Sequence, residues 1–88
     1  MATITGPVKS VFNQNKTAPS DDIGCAVVHD KNTNMDEAIS FWNGTQNLQN
    51  NRRVYFNEMF CTALASGKTV TVTTDGPVSG VVQSVSIS

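Results

Sequence analysis

The sequence predicts a single mainly β domain with one helix, in the order β-β-β-α-β-β, and three observations carry that expectation. Short runs rich in Val, Ile and Thr alternate with turn clusters along the chain. One stretch near residues 51–66 repeats its apolar residues at a spacing of three to four. A length of 88 residues suits one domain, spanning residues 1–88, and no more. The element order is that of a five-stranded Greek-key barrel of the OB type, whose helix lies between the third and fourth strands.

The first strand is expected over Thr3, Ile4 and Thr5, then Val8, Val11 and Phe12, interrupted by Gly6-Pro7, since proline in a sheet belongs at an edge or a bulge. A similar Gly76-Pro77-Val78 recurs near the last strand, and each copy is a candidate bulge for bending a strand around a barrel corner. Asn13–Asp22 holds Ala18 as its only apolar residue apart from a proline and is expected to be a loop. Ile23–His29 is apolar on both faces and reads as a central second strand. Asp30–Asp36 is turn chemistry, Ala38–Trp42 a short third strand, and Asn43–Asn50 a polar loop opened by Asn-Gly.

The helix follows from Val54, Tyr55/Phe56, Met59/Phe60 and Ala63/Leu64, which recur on one helical face. Asn50 or Asn51 can cap its start, and Gly67 is placed to stop it. Thr69–Thr74 alternates strictly with Val70 and Val72 inward; after Asp75-Gly76-Pro77, the segment Gly80–Ile87 returns with Val81, Val85 and Ile87 on one face.

Composition narrows the function. Ser, Thr, Asn and Gln make up 31 of the 88 residues, while charged residues are only 15% and the net charge is -1. Nucleic-acid affinity rests on Lys and Arg neutralising phosphates, and six basic residues against seven acidic ones form no such stripe. A neutral surface of amides and hydroxyls suits sugars, proteins or plain solubility. No stretch approaches the roughly 20 apolar residues of a membrane helix, and Met1–Ser10 lacks the basic start and apolar run of a secretion signal.

Few motifs point to catalysis, and the chain is expected not to be an enzyme. Gly67-Lys68-Thr69 matches the end of a phosphate-binding loop, but that motif needs glycine where Thr62 stands and must open a helix rather than close one. His29-Asp30 is the one histidine with an adjacent acid, which falls short of a nucleophile, base and orienting acid. One histidine and two distant cysteines also fall short of a zinc site, so neither metal nor cofactor is expected. The carboxylates Asp21, Asp22, Asp30, Asp36, Glu37, Glu58 and Asp75 contain no marked pair for glycoside chemistry. Asn15-Lys16-Thr17 and Asn43-Gly44-Thr45 fit the N-glycosylation pattern, which an Asn- and Thr-rich chain produces readily.

Trp42 carries the most information for binding. It ends a short strand opposite Ile39 and Phe41 and leads into Asn43-Gly44-Thr45. An indole face beside amides and hydroxyls can stack on the C–H patch of a sugar while they bond its hydroxyls, so Trp42 and Asn43 are glycan-binding candidates. Tryptophan also favours protein interfaces, and the same residue can plug the core. Cys25 and Cys61 admit one disulfide, closing a loop of about 36 residues and contributing on the order of 3–4 kcal/mol. Two buried thiols acting as small hydrophobes are the alternative, and in either oxidation state both are expected to point into one core, strand against helix.

Ile-Gly-Cys-Ala-Val-Val around Cys25, the helix ending in Ala65-Ser66-Gly67-Lys68, and the Thr69-Val-Thr-Val strand that follows carry a further likeness. Over residues 20–74 the chain resembles the small B subunits of bacterial AB-type toxins, nearest the subtilase-cytotoxin and typhoid-toxin group. It departs from that group in being shorter and in placing Cys61 on the helix. The resemblance implies a homopentamer joined by edge-strand pairing, helices lining a central pore, and a catalytic A subunit as partner. It also implies a glycan pocket around the loop between the first two strands, to which Thr17 and Ser20, with Asn15 and Asp21, correspond. A secreted or periplasmic location follows if the chain is toxin-like, a cytoplasmic one otherwise. Independently, a small domain with open strand edges and few guarding charges has reason to cover them by assembly. The leading expectation is therefore an oligomeric carbohydrate-binding domain. The alternative is a small intracellular or phage-type protein that binds or sequesters a partner.

Overall fold

The computed structural model describes residues 2–14, 23–43, 50–74, 76 and 82–88. Five strands and one helix follow in the expected order: β1 (Ala2–Gln14), β2 (Ile23–Asp30), β3 (Met35–Asn43), α1 (Asn50–Ser66), β4 (Thr69–Thr74) and β5 (Val82–Ile87). The strands form one antiparallel sheet in the order β3-β2-β1-β4-β5. The central position belongs to β1, not to β2 as its doubly apolar sequence suggested. β2 is interior all the same, between β1 and β3.

β1 changes partner along its length. Ala2–Pro7 pair with β4, and Val8–Gln14 pair with β2. Pro7, which has no N–H to give, sits at this exchange, where a missing ladder donor costs least. The bulge falls between Val8 and Ser10, just beyond Gly6-Pro7. The extra residue reverses the inside-outside phase of everything after it. Ile4, Gly6 and Val8 are buried before the bulge; Val11 turns inward after it, and Phe12 is left 51% exposed. Phe12 is thus a surface residue. The corresponding Gly76-Pro77-Val78 stretch, apart from Gly76, lies outside the described residues.

Gly6 is required by sterics. A Cβ there would stand 1.7 Å from the carbonyl oxygen of His29. Just beside this contact, the Lys31 N–H donates to the Thr5 carbonyl over 2.8 Å, fastening the end of β2 to β1.

The helix covers the inner face of the sheet. Phe60 and Ala63 are fully buried and Phe56 packs beside them, against Ile4, Val8, Ala26, Val28, Ile39, Phe41, Val70, Val72 and Val82. The Phe41 and Phe60 rings lie 5.5 Å apart and tilted by 30°, within the range of favourable aromatic pairing. Of the stripe expected from spacing, Val54 (54% exposed), Tyr55 (63%) and Leu64 (41%) face solvent. The helix stops as glycine at this position allows: Gly67 adopts φ +69°, and the Lys68 N–H returns to the Ala63 carbonyl at 3.1 Å, the long bond of a Schellman cap.

β4 holds the predicted alternation, with Val70, Val72 and Thr74 buried. On its outer face Thr5 bonds Thr71 at 3.3 Å and Thr73 bonds Ser84, a row of hydroxyls linking β1, β4 and β5. Val81, expected on the inner face of the last strand, lies outside the described residues. Val82 is buried instead, and a register shift opposite Thr73 and Thr74 lets it share the inner side with Val85, three residues on.

Candidate functional site

Of the residues expected to bind glycan, Trp42 and Asn43 stand at one end of the sheet. Asn15, Thr17, Ser20 and Asp21 lie outside the described residues. The strand ends from which their segment leaves and returns are described. Asn13 pairs with Gly24 and Gln14 with Ile23; on the other side of β2, Gly24 pairs with Trp42 and Ile23 with Asn43. Three strand ends therefore stand side by side, and residues 15–22 and 44–49 both connect there. Trp42 and Asn43, singled out by their own chemistry, therefore pair beside the strand ends Gln14 and Ile23.

This end is braced from beneath. After the β1 bulge Asn13 shares the inward phase of Val11, and its Nδ2 donates to Oδ1 of Asn57 on α1 at 2.6 Å. Gly24 leaves the room that the bracing needs: a Cβ on it would stand 2.6 Å from Phe41 Cε2 and 3.2 Å from Asn13 Oδ1. The β2–β3 register slips between Gly24 and Cys25, so Phe41 is the extra residue in β3, and its buried ring reaches Phe60. Nothing in the sequence singles out Asn57 or Gly24 for this duty. Their partners lie 44 and 17 residues away, and no local pattern marks either one.

The cysteines are both free thiols. The expectation that Cys25 and Cys61 point into one core is corrected here. Cys25 alternates with buried Gly24 and Ala26, so it takes the outer face of β2 and is half-buried. Cys61 follows buried Phe60, one step of about 100° around the helix, and is exposed, with its Sγ 3.7 Å from Asn57 Oδ1.

A second polar cluster lies at the opposite end of β2. The sequence sets His29 next to Asp30, but neighbours in a strand face opposite ways. Asp30 is buried, with Oδ1 accepting the Asn32 N–H at 3.0 Å. The acid that reaches His29 is Asp36, across the β2–β3 hairpin, at 2.7 Å from Nδ1; Nε2 lies 3.1 Å from Asn34 Oδ1. Among the described residues no group of three or more metal-ligating side chains occurs, and no helix is long and apolar enough to cross a membrane.

No protein-family model matches the chain, and neither a curated protein nor a solved structure shows significant similarity to it. What can be said of function therefore rests on the site's own geometry.

Proposed function

We propose that this chain is a non-enzymatic, oligomeric carbohydrate-binding domain, related in design to toxin B subunits, that seats a glycan at the Trp42–Asn43 end of its sheet. The observation that carries the reading is the pairing Gln14–Ile23–Asn43 and Asn13–Gly24–Trp42. It brings the positions of an aromatic residue and several amides, and the strand ends that flank the hydroxyl-bearing segment 15–22, to one rim. Sugar recognition needs that combination of an apolar face and directional hydrogen bonds. An OB-type barrel is the finer fold proposed. In its favour, β1 pairs with both β2 and β4, and β3 and β5, the two outer strands, come into contact. Such barrels place ligands on the sheet face and its flanking loops.

A glycan array on the assembled protein, repeated with Trp42→Ala, tests the reading. Binding is expected for the parent and lost in the variant, with a melting temperature close to the parent's. A fall in stability of about 3–5 kcal/mol, the cost of removing a buried aromatic ring, would assign Trp42 to the core instead. An array blank for the parent would overturn the carbohydrate reading.

One observation favours the second reading, a module that binds or sequesters a protein. Tyr55, Val54 and Leu64 put apolar and aromatic surface on the outside of α1, the composition enriched at protein interfaces. A blank array together with loss of a protein partner on Tyr55→Ser would select it.

A further inference from the structure

We propose that Phe12, turned outward by the β1 bulge, is the stacking platform of the glycan site, and that the bound sugar lies over the Phe12–Cys25–Ser40 rung on the sheet's outer face. The inference rests on the carbohydrate reading above and adds to it a residue and a face.

Phe12 stands where packing alone would not put it. An aromatic ring is among the largest apolar surfaces a chain can bury, and α1 offers Phe56 and Phe60 on the inner side of the sheet. The bulge between Val8 and Ser10 shifts β1 by one residue. The inward phase then falls to Asn13, which bonds Asn57 on α1, and Phe12 is left 51% exposed on the outer face. A polar residue thus reaches the helix while an aromatic one faces solvent. Bulges re-aim side chains in this way beside functional sites, and a local rule broken without a gain in packing points to function.

The register gives the ring its surroundings. Phe12 pairs with Cys25 and Cys25 with Ser40, so the three share one rung across β1, β2 and β3. Cys25, in the middle, is small and half-buried. Ser40, two strand spacings or about 10 Å from Phe12, supplies a hydroxyl. The neighbouring rung towards the β2–β3 hairpin, Ser10–Val27–Ala38, adds an exposed hydroxyl and two aliphatic side chains. In the other direction, two residues along β1, lies the Gln14–Ile23–Asn43 rung of the candidate site.

This chemistry selects a sugar. Phe12 is the one exposed large apolar side chain among the six residues of the two rungs, and none of the six is charged. A single ring beside low neighbours leaves its face open to the C–H patch of a pyranose, whose hydroxyls then meet Ser40 and Ser10. A protein contact would instead centre on a contiguous patch of large apolar residues, and a nucleic acid would need basic ones.

A glycan array on the assembled protein, run with Phe12→Ala and Phe12→Trp, tests the proposal. Covering the exposed half of a phenylalanine ring corresponds to about a four- to ten-fold gain in affinity, so Phe12→Ala should weaken array binding by about that factor. Phe12→Trp should retain it, and both variants should melt close to the parent, since the position is exposed. Cys25 supplies a second readout. Its alkylation by iodoacetamide should be suppressed when the strongest-binding array oligosaccharide is added free at saturation. The exposed Cys61, on the helix at the other side of the sheet, should react at an unchanged rate. Parent binding that survives Phe12→Ala, or Cys25 alkylation unaffected by the oligosaccharide, would overturn this proposal and leave the carbohydrate reading standing on Trp42 and Asn43. A large fall in melting temperature in Phe12→Ala would assign the ring to packing and overturn it too. A blank parent array would overturn both readings together.

Discussion

Glycine has two different duties in this chain, and they separate cleanly at the level of single residues. Gly6 is required by space: a methyl group would sit 1.7 Å from the His29 carbonyl oxygen, which is backbone and cannot swing aside. Gly6→Ala is expected to cost at least about 3 kcal/mol, the upper range for overpacking. At about 4–8 °C per kcal/mol for a domain of this size, a thermal melt should fall by on the order of 10–20 °C or show no folded protein. Gly67 is required by conformation alone, since its φ is +69° and a methyl group added there would have no neighbour within 4 Å. Gly67→Ala should then cost only about 1 kcal/mol, and Gly67→Asn less, because asparagine tolerates that region. Equal losses at the two positions would contradict the distinction. Gly24 is of the first kind, with the Phe41 ring at 2.6 Å, and its replacement by alanine should loosen the end of the sheet where Trp42 and Asn43 stand.

At the level of elements, α1 and β1 each hold a residue pattern that their geometry reads differently from a simple count. On α1 the buried side is narrow: Phe60 and Ala63, flanked by Phe56 and Met59. Phe60→Ala should cost about 3–5 kcal/mol, while Tyr55→Ser, at a 63% exposed position, should lie within about 0.5 kcal/mol of the parent. Urea titrations of the two variants check this, and a large loss at Tyr55 would mean that the helix buries a wider face. On β1 the bulge between Val8 and Ser10 sets the phase of the second half. Deleting Lys9 should return Phe12 to the inner face and carry Asn13 outward, away from Asn57. The expected outcome is loss of the Asn13–Asn57 contact in amide side-chain NMR spectra together with lower stability.

For the molecule as a whole, the question is what covers the outer strands and the exposed side of α1. β3 and β5 are the ends of the hydrogen-bonded order, and an unpaired strand edge invites a partner. Assembly beyond a dimer follows from the proposed function, and light scattering at micromolar concentration should return a mass several times 9.4 kDa. A mass of 9.4 kDa would remove the oligomer from the proposal and leave the carbohydrate site to be judged on the array alone.

The chain's local chemistry determined which elements exist. Alternation in Thr69–Thr74, the helix ending at Gly67 and the β-β-β-α-β-β order are short-range properties, written in neighbours two to four residues apart. Trp42 and Asn43 were legible as candidates for the same reason, since an aromatic residue leading into an Asn-Gly turn is a local signal. Tertiary structure alone decided which face of each element is inside. One inserted residue in β1 turned Phe12 out and Asn13 toward α1; the sheet's alternation sent Cys25 away from α1; and a strand pairing gave His29 to Asp36 rather than to its neighbour Asp30. It also brought Gln14, Ile23 and Asn43 to one rim. Period and propensity are properties of a segment, whereas phase and partnership depend on register between segments far apart in the chain, and register is set only when the sheet forms.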